Sequence, residues 1–283
     1  MNLNRKRVDK IFRFVCKSCT YMCVAILFVL LFHIFKQGIS GLDWAFLSSY
    51  PSRFASKAGL YSALMGTLWV LVTTAFVTLP LGVATAVFLE EYSDSESKLV
   101  WLLRVNISSL AGMPSVVYGL LGLAIFVRFF SFERSVLSGA LTLSLLVLPV
   151  VIIASREAIR AVPQSLRDAA LALGARKWQV VWGQVLPAAT PGIMTGAILA
   201  ISRAIGETAP LIMIGALSYV AFVPGTVWDP FTVLPVQIYN WAARPQKEFH
   251  AIAATGIIVL LAVLFVMNSV AVVIRHRFQR YKT

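Results

Sequence analysis

Charge is scarce in this chain. Only 13% of its 283 residues are Asp, Glu, Lys or Arg, about half the ~25% typical of soluble domains. Acidic residues are scarcer still, 12 against 25 basic ones. A soluble globule of this length carries a larger charged shell, so that class is excluded. Cysteine and histidine are also rare, three of each. Cys16-Lys17-Ser18-Cys19 has C-x-x-C spacing, but a second pair and a nearby fourth ligand are missing, so a zinc site is not indicated. His33, His250 and His276 are scattered near the edges of apolar blocks. No stretch reads G-x-x-x-x-G-K-[ST], so the chain has no phosphate-binding loop of its own for ATP. The net charge of +13 is not gathered into a basic domain with interleaved aromatics, which argues against nucleic acid as a partner.

What the chain has in quantity is apolar sequence, 59% of its residues. A membrane span needs roughly 20 residues to cross ~30 Å of hydrocarbon. Six blocks approach that length: residues 21–35, 67–89, 105–130, 137–154, 191–222 and 251–274. The expected architecture is an all-α polytopic membrane protein with six transmembrane helices occupying residues 21–274. Short basic tails, 1–20 and 275–283, flank it. The basic start and following apolar run imitate a signal peptide, but no small-x-small cleavage site follows Phe35, so the first block reads as an uncleaved helix.

Most of the basic residues lie on one side of these blocks. They occupy the first tail, Lys98 and Arg104, the stretch from Arg156 to Lys177, and the last tail. The positive-inside rule therefore predicts that both termini and the segment 155–190 are cytoplasmic. The outer loops 36–66 and 223–250 hold Trp44, Tyr50, Tyr61, Trp228, Tyr239 and Trp241. These suit an interfacial aromatic belt, and a docking surface for an external protein is a second use of the same residues.

The segment from Ser165 to Pro187 is a polar, alanine-rich insertion between two apolar blocks. Pro163 suits a helix start, and Leu166, Ala169, Ala170 and Leu173 share one face by their three- and four-residue spacing. Gly174 ends this helix, and a second amphipathic piece runs from Ala175 to Pro187. Small side chains present a low surface that a partner's groove can approach. The alternative is an interfacial helix on lipid, which Arg176, Lys177, Trp178 and Trp182 also suit.

A pair of charges sits in the following block, in Ser202-Arg203-Ala204-Ile205-Gly206-Glu207-Thr208-Ala209-Pro210-Leu211. Arg203 lies about 18 Å beyond Pro191 on a helix rising ~1.5 Å per residue, so it is expected near mid-membrane. Such a residue costs at least ~2.5–3.5 kcal/mol to insert and commonly lines a pathway. Arg before Glu is the poorer order for a merely structural i,i+4 pair. A guanidinium fork matches tetrahedral oxyanions. Glu207 beside it repels a fully ionised anion but accepts a hydrogen bond from an anion that still carries a proton, as phosphate does at neutral pH. The pair thus favours phosphate over sulfate, or serves as a closed-state bridge that substrate opens.

Two resemblances follow from these residues. Asp168-Ala169-Ala170, three residues, Gly174, then Leu186-Pro187 resembles the EAA loop of permease subunits in ATP-binding-cassette importers, with Asp168 in place of Glu and Gln184 where an apolar residue is usual. Arg203 to Leu211 resembles the A-R-x-x-G-E-T-A-P-L stretch of the A-type permease subunits of bacterial phosphate importers, the PstA type, with Ser202 where that family often has Ala. Gly112-Met113-Pro114-Ser115-Val116-Val117-Tyr118-Gly119-Leu120 resembles a run in the third helix of the same permeases.

The resemblance implies a type I importer fold (MetI-like) in a bacterial inner membrane, with no catalytic site and no cofactor. It implies four kinds of partner besides lipid and phosphate. These are a homologous PstC-like permease, two copies of a PstB-like ATPase that binds ATP-Mg, and a periplasmic PstS-like binding protein. It assigns Arg203, Glu207 and Thr208 to the substrate path, with Arg156 at the exit, where an ordinary flanking charge is the other reading. Leu166, Arg167, Asp168, Ala169, Ala170 and Gly174 are assigned to ATPase coupling. A permease for sulfate or molybdate is the nearest alternative. A stand-alone secondary transporter also places charges mid-membrane, but needs no EAA loop.

Overall fold

The computed structural model describes residues 3–94, 97–216 and 219–280, and every regular element among them is helical. Helix α1 is Leu3–Gly38, and a short helix α2, Trp44–Ser48, follows it. Helix α3 is Tyr61–Val87 and runs into a π-helical turn, Phe88–Tyr92. Helices α4, Lys98–Ala111, and α5, Ser115–Gly122, come next, and α5 is prolonged by a π turn, Leu123–Phe129. Helix α6 is Val136–Arg160 and α7 is Gln164–Ala172. Helix α8, Lys177–Val180, continues through a π turn, Val181–Val185, into α9, Leu186–Gly206. Helices α10, Ala209–Ile214, α11, Leu234–Ala242, and α12, Lys247–Arg280, complete the chain.

Among the described residues five helices are long and apolar enough to cross a membrane: Asp9–Gly41, Tyr61–Tyr92, Val136–Arg160, Lys177–Gly206 and Lys247–Val273. A sixth crossing is made if α4 and α5 count as one, although they meet at 105°. Three expectations are corrected here. The 105–130 block is not one straight helix, because Pro114 lacks an N–H and biases Met113 away from helix. The Tyr118 hydroxyl then donates to the Leu110 carbonyl at 2.6 Å and pins the bend. The 191–222 block is not one span either: the helix starts at Lys177 and stops at Gly206. Finally, the first span is continuous with the basic tail before it, since α1 is helical from Leu3.

Helix α6 is the centre of the molecule, the most buried of the spans, with α3 and α9 packed on either side. Close packing against α9 is a matter of side-chain size. Gly192 and Gly196 face Ala158 and Ala154, and a Cβ on either glycine would lie 2.6 or 2.3 Å from the facing methyl group. Small residues four apart on both helices let the backbones meet, which is how membrane helices gain dispersion contacts without a hydrophobic effect between them. Ser135 caps α6, its hydroxyl accepting the Ser138 N–H at 3.3 Å. Helix α12 lies against α9 and α1, and the apolar run of α1 is exposed along its length.

Among the belt candidates, Trp44, Tyr50, Trp228 and Tyr239 are exposed. Trp241 is not: it is buried against Phe46, with ring centroids 5.9 Å apart. Helix α11 folds back onto α12 and carries that ring into the core, so amphipathic appearance in a loop misled the sequence reading.

Candidate functional site

The predicted site residues fall into two groups at different levels of the molecule. Arg203, Glu207 and Thr208 come together where α9 ends. Arg203 is in the last turn of α9 rather than the middle of a long span, and Glu207 is its C-cap with extended backbone. The Arg203 Nε donates to Glu207 Oε1 at 3.2 Å, with 43% of the Arg side chain and 16% of the Glu side chain exposed. A helix C-terminus carries unpaired carbonyls and partial negative charge, so a guanidinium there is doubly favoured. Pro210 starts α10 immediately afterwards and prevents the helix from continuing. Gly206 is open, with no atom within 4 Å of an added Cβ.

Beside this break lies a largely apolar pocket of about 580 Å³, lined among others by Val116, Gly206, Thr208, Met213 and Tyr239. Helix α5 closes onto α10 because Gly119 leaves room: a Cβ there would come within 2.7 Å of Pro210 Cα. The Gly-Met-Pro-Ser-Val-Val-Tyr-Gly run therefore bends α4 from α5 and then seats α5 against the element that follows Arg203.

The second group surrounds α7. Gly174 adopts φ +82°, and Ala175 N–H bonds back to Ala170 O at 3.1 Å while Gly174 N–H reaches Leu171 O at 2.9 Å. This is a Schellman ending, and glycine takes the left-handed position without a Cβ penalty. Asp168, Ala169 and Gly174 are exposed, and Leu173 is 90% exposed. Leu166 and Ala170 instead pack inward on the cluster of Ile159, Val162, Val180 and Val185. The expected single face of Leu166, Ala169, Ala170 and Leu173 is thus split in two. Arg167 supplies the physical reason, because it is drawn inward and sets the rotation of the helix.

Arg167 donates through Nε and Nη2 to Glu91 Oε1 at 3.1 and 2.7 Å, and also to the carbonyls of Val162 at 2.6 Å and Ile159 at 3.0 Å. Arg156 does not join Arg203. It forks onto Glu90 Oε1 at 2.8 and 2.6 Å, between α6 and the π turn that ends α3. Sequence reasoning passed over Glu90 and Glu91. Their signal was available: two adjacent carboxylates close an apolar block in a chain with only 12 acids. Tyr118 lies within the Gly112–Leu120 motif, where spacing alone does not reveal its role as the pin of the α4–α5 bend.

Among the described residues there is no group of three or more His, Cys, Asp or Glu able to hold a metal ion. The arrangement holds a partly exposed guanidinium at a helix break and a polar surface helix braced from beneath.

Residues 78–280 match the family described as binding-protein-dependent transport system inner membrane component. The chain is 34% identical over 282 residues to a probable ABC transporter permease protein, YqgI, of Bacillus subtilis, covering 95% of each. It is 36% identical over 225 residues to the phosphate transport system permease protein PstA 1 of Mycobacterium tuberculosis, covering 80% of this chain and 72% of that one. The PstA of Yersinia pestis is 32% identical over 246 residues, covering 87% and 82%. In fold, the chain is similar to a bacterial alginate ABC transporter, with a TM-score of 0.67, 15% identity and coverage of 95% and 94%. It is also similar to the inward-facing MetNI methionine ABC transporter, with a TM-score of 0.63, 16% identity and coverage of 77% and 97%. The chain belongs to the binding-protein-dependent transport system inner membrane components, the multi-pass permease subunits of ABC transporters.

Proposed function

We propose that this permease is half of the translocation path of an ATP-driven phosphate importer. The observation that carries the reading is Arg203, a guanidinium partly open at a helix break and bonded on its other side to Glu207. A half-exposed arginine in an apolar span costs too much to leave facing lipid, so a second, homologous permease completes the path around it. The fork binds the anion's oxygens, and Glu207 accepts a hydrogen bond from the hydroxyl that phosphate retains near neutral pH. Relatives at 32–36% identity bear phosphate transport in their names, which supports phosphate above other oxyanions.

In this reading α7 and Gly174 form the element on which a separate ATPase docks. A binding protein outside the membrane delivers the anion, and both termini are cytoplasmic. ATP and Mg are held by the ATPase and the permease supplies no catalytic group. Two copies of the ATPase close on ATP and move α7 in each permease. The test is reconstitution with the partner permease, ATPase and binding protein in vesicles. ATPase stimulation by phosphate at least about ten times that by sulfate or molybdate, a small part of the roughly 10⁴-fold discrimination a site built to hydrogen-bond its substrate can reach, supports the reading. Stimulation by sulfate or molybdate alone refutes it.

A further inference from the structure

The π turn Phe88–Tyr92 is bonded to four other helices. Arg104 of α4 donates through Nη2 to the Leu89 carbonyl at 3.0 Å. Arg156 of α6 binds Glu90, and Arg167 of α7 binds Glu91. Lys177, the first residue of α8, sits over the Tyr92 ring at 5.4 Å from its centroid. Four cations from four helices therefore converge on the end of α3. Consecutive residues of a helical turn point in different directions, so the adjacent carboxylates reach different neighbours.

Both ion pairs are shielded, with side chains 9–16% exposed. Shielded, hydrogen-bonded pairs are rigid and directional, whereas exposed pairs bend and dissolve into water. Arg167 also grips the carbonyls of Val162 and Ile159 at the end of α6, so a push on α7 reaches α3 and α6 through one guanidinium. Lys177 carries the same contact to α8, which continues through its π turn into α9, the helix that holds Arg203.

We propose that Glu90 and Glu91 are positioning residues that deliver the displacement of α7 to the membrane spans, the π turn serving as the joint. This rests on α7 being the ATPase docking element, as proposed above, and not on the identity of the solute.

The test uses the assembled transporter in lipid vesicles, with Cys16, Cys19 and Cys23 replaced by Ser and spin labels at Ser165 on α7 and Phe222 beyond α10. Distances are read with and without ATP and vanadate, with no solute present, so the result stands apart from any failure of the phosphate reading. In the parent, nucleotide changes the distance between the labels. Glu91→Gln is expected to keep the ATPase bound while cutting the nucleotide-dependent change about ten-fold. The charge exchange Glu91→Arg with Arg167→Glu is expected to recover much of that change, where Arg167→Glu alone does not. A Glu91→Gln complex that moves and couples like the parent overturns the proposal. If Glu91→Gln does not assemble, the exchange pair decides: an assembled pair that stays uncoupled also overturns it.

Discussion

Arg203 Nε donates to Glu207 Oε1 across the point where α9 stops, 3.2 Å between atoms that a continued helix would hold on one face. The bond is long and the arginine half-open, so the guanidinium has donors left for an incoming anion. Arg203→Gln removes the charge and the fork while keeping a polar side chain. Phosphate uptake in reconstituted vesicles is expected to fall below detection, with normal copurification of the partner subunits. Arg203→Lys keeps the charge without the fork and is expected to retain a small residue of uptake. Normal uptake by Arg203→Gln refutes the assignment.

Gly174 has open space around it but a backbone that only glycine adopts freely. Any other L-residue there pays about 1–2 kcal/mol, with Asn the least affected. Gly174→Asn is expected to transport close to the parent. Gly174→Trp adds bulk on the exposed surface and is expected to uncouple ATP hydrolysis from uptake while the ATPase still copurifies. Parent-like stimulation in the Trp variant removes Gly174 from the docking surface.

The α6–α9 interface gives a stability prediction. Gly196→Leu drives a side chain into Ala154 and is expected to cost at least ~1–3 kcal/mol, the range for overpacked cores. Gly183→Ala, in open space on the π turn before α9, is its control and is expected to be neutral or slightly stabilising. Thermal unfolding followed by tryptophan fluorescence distinguishes them. Equal melting temperatures for the two variants contradict the small-residue packing.

Asp229 gives the pH prediction. Its carboxylate accepts the backbone N–H groups of Thr226 and Gly225, both at 2.8 Å, and these bonds hold its pKa below the ordinary 3.8 of an aspartate. A depressed carboxylate stabilises the loop above the unfolded value and loses that contribution as pH falls through the folded one. Hydrogen exchange at the Gly225 and Thr226 amides is expected to show protection, relative to Asp229→Asn, that persists at 3.8 and vanishes in more acid solution. Protection lost already above pH 3.8 contradicts the assignment.

How much of this was legible beforehand follows from the range of each interaction. Apolar length by itself determined the membrane class and the positions of most spans, because hydrocarbon thickness is a local demand on consecutive residues. The Arg203–Glu207 pair and the break at Gly174 were legible for the same reason, since four residues on a helix and one left-handed glycine are matters of neighbours in the chain. The tertiary structure alone decided what lies across space. Arg156 and Arg167 find Glu90 and Glu91 from 66 and 76 positions away, and no periodicity connects them. That pairing turns α7 so that Leu166 and Ala170 face inward and Ala169 faces out. Trp241 was hidden by the same kind of event, a short helix folding back onto α12. Local spacing says which faces a helix has; packing against helices distant in sequence decides which of them is turned toward water, lipid or a partner.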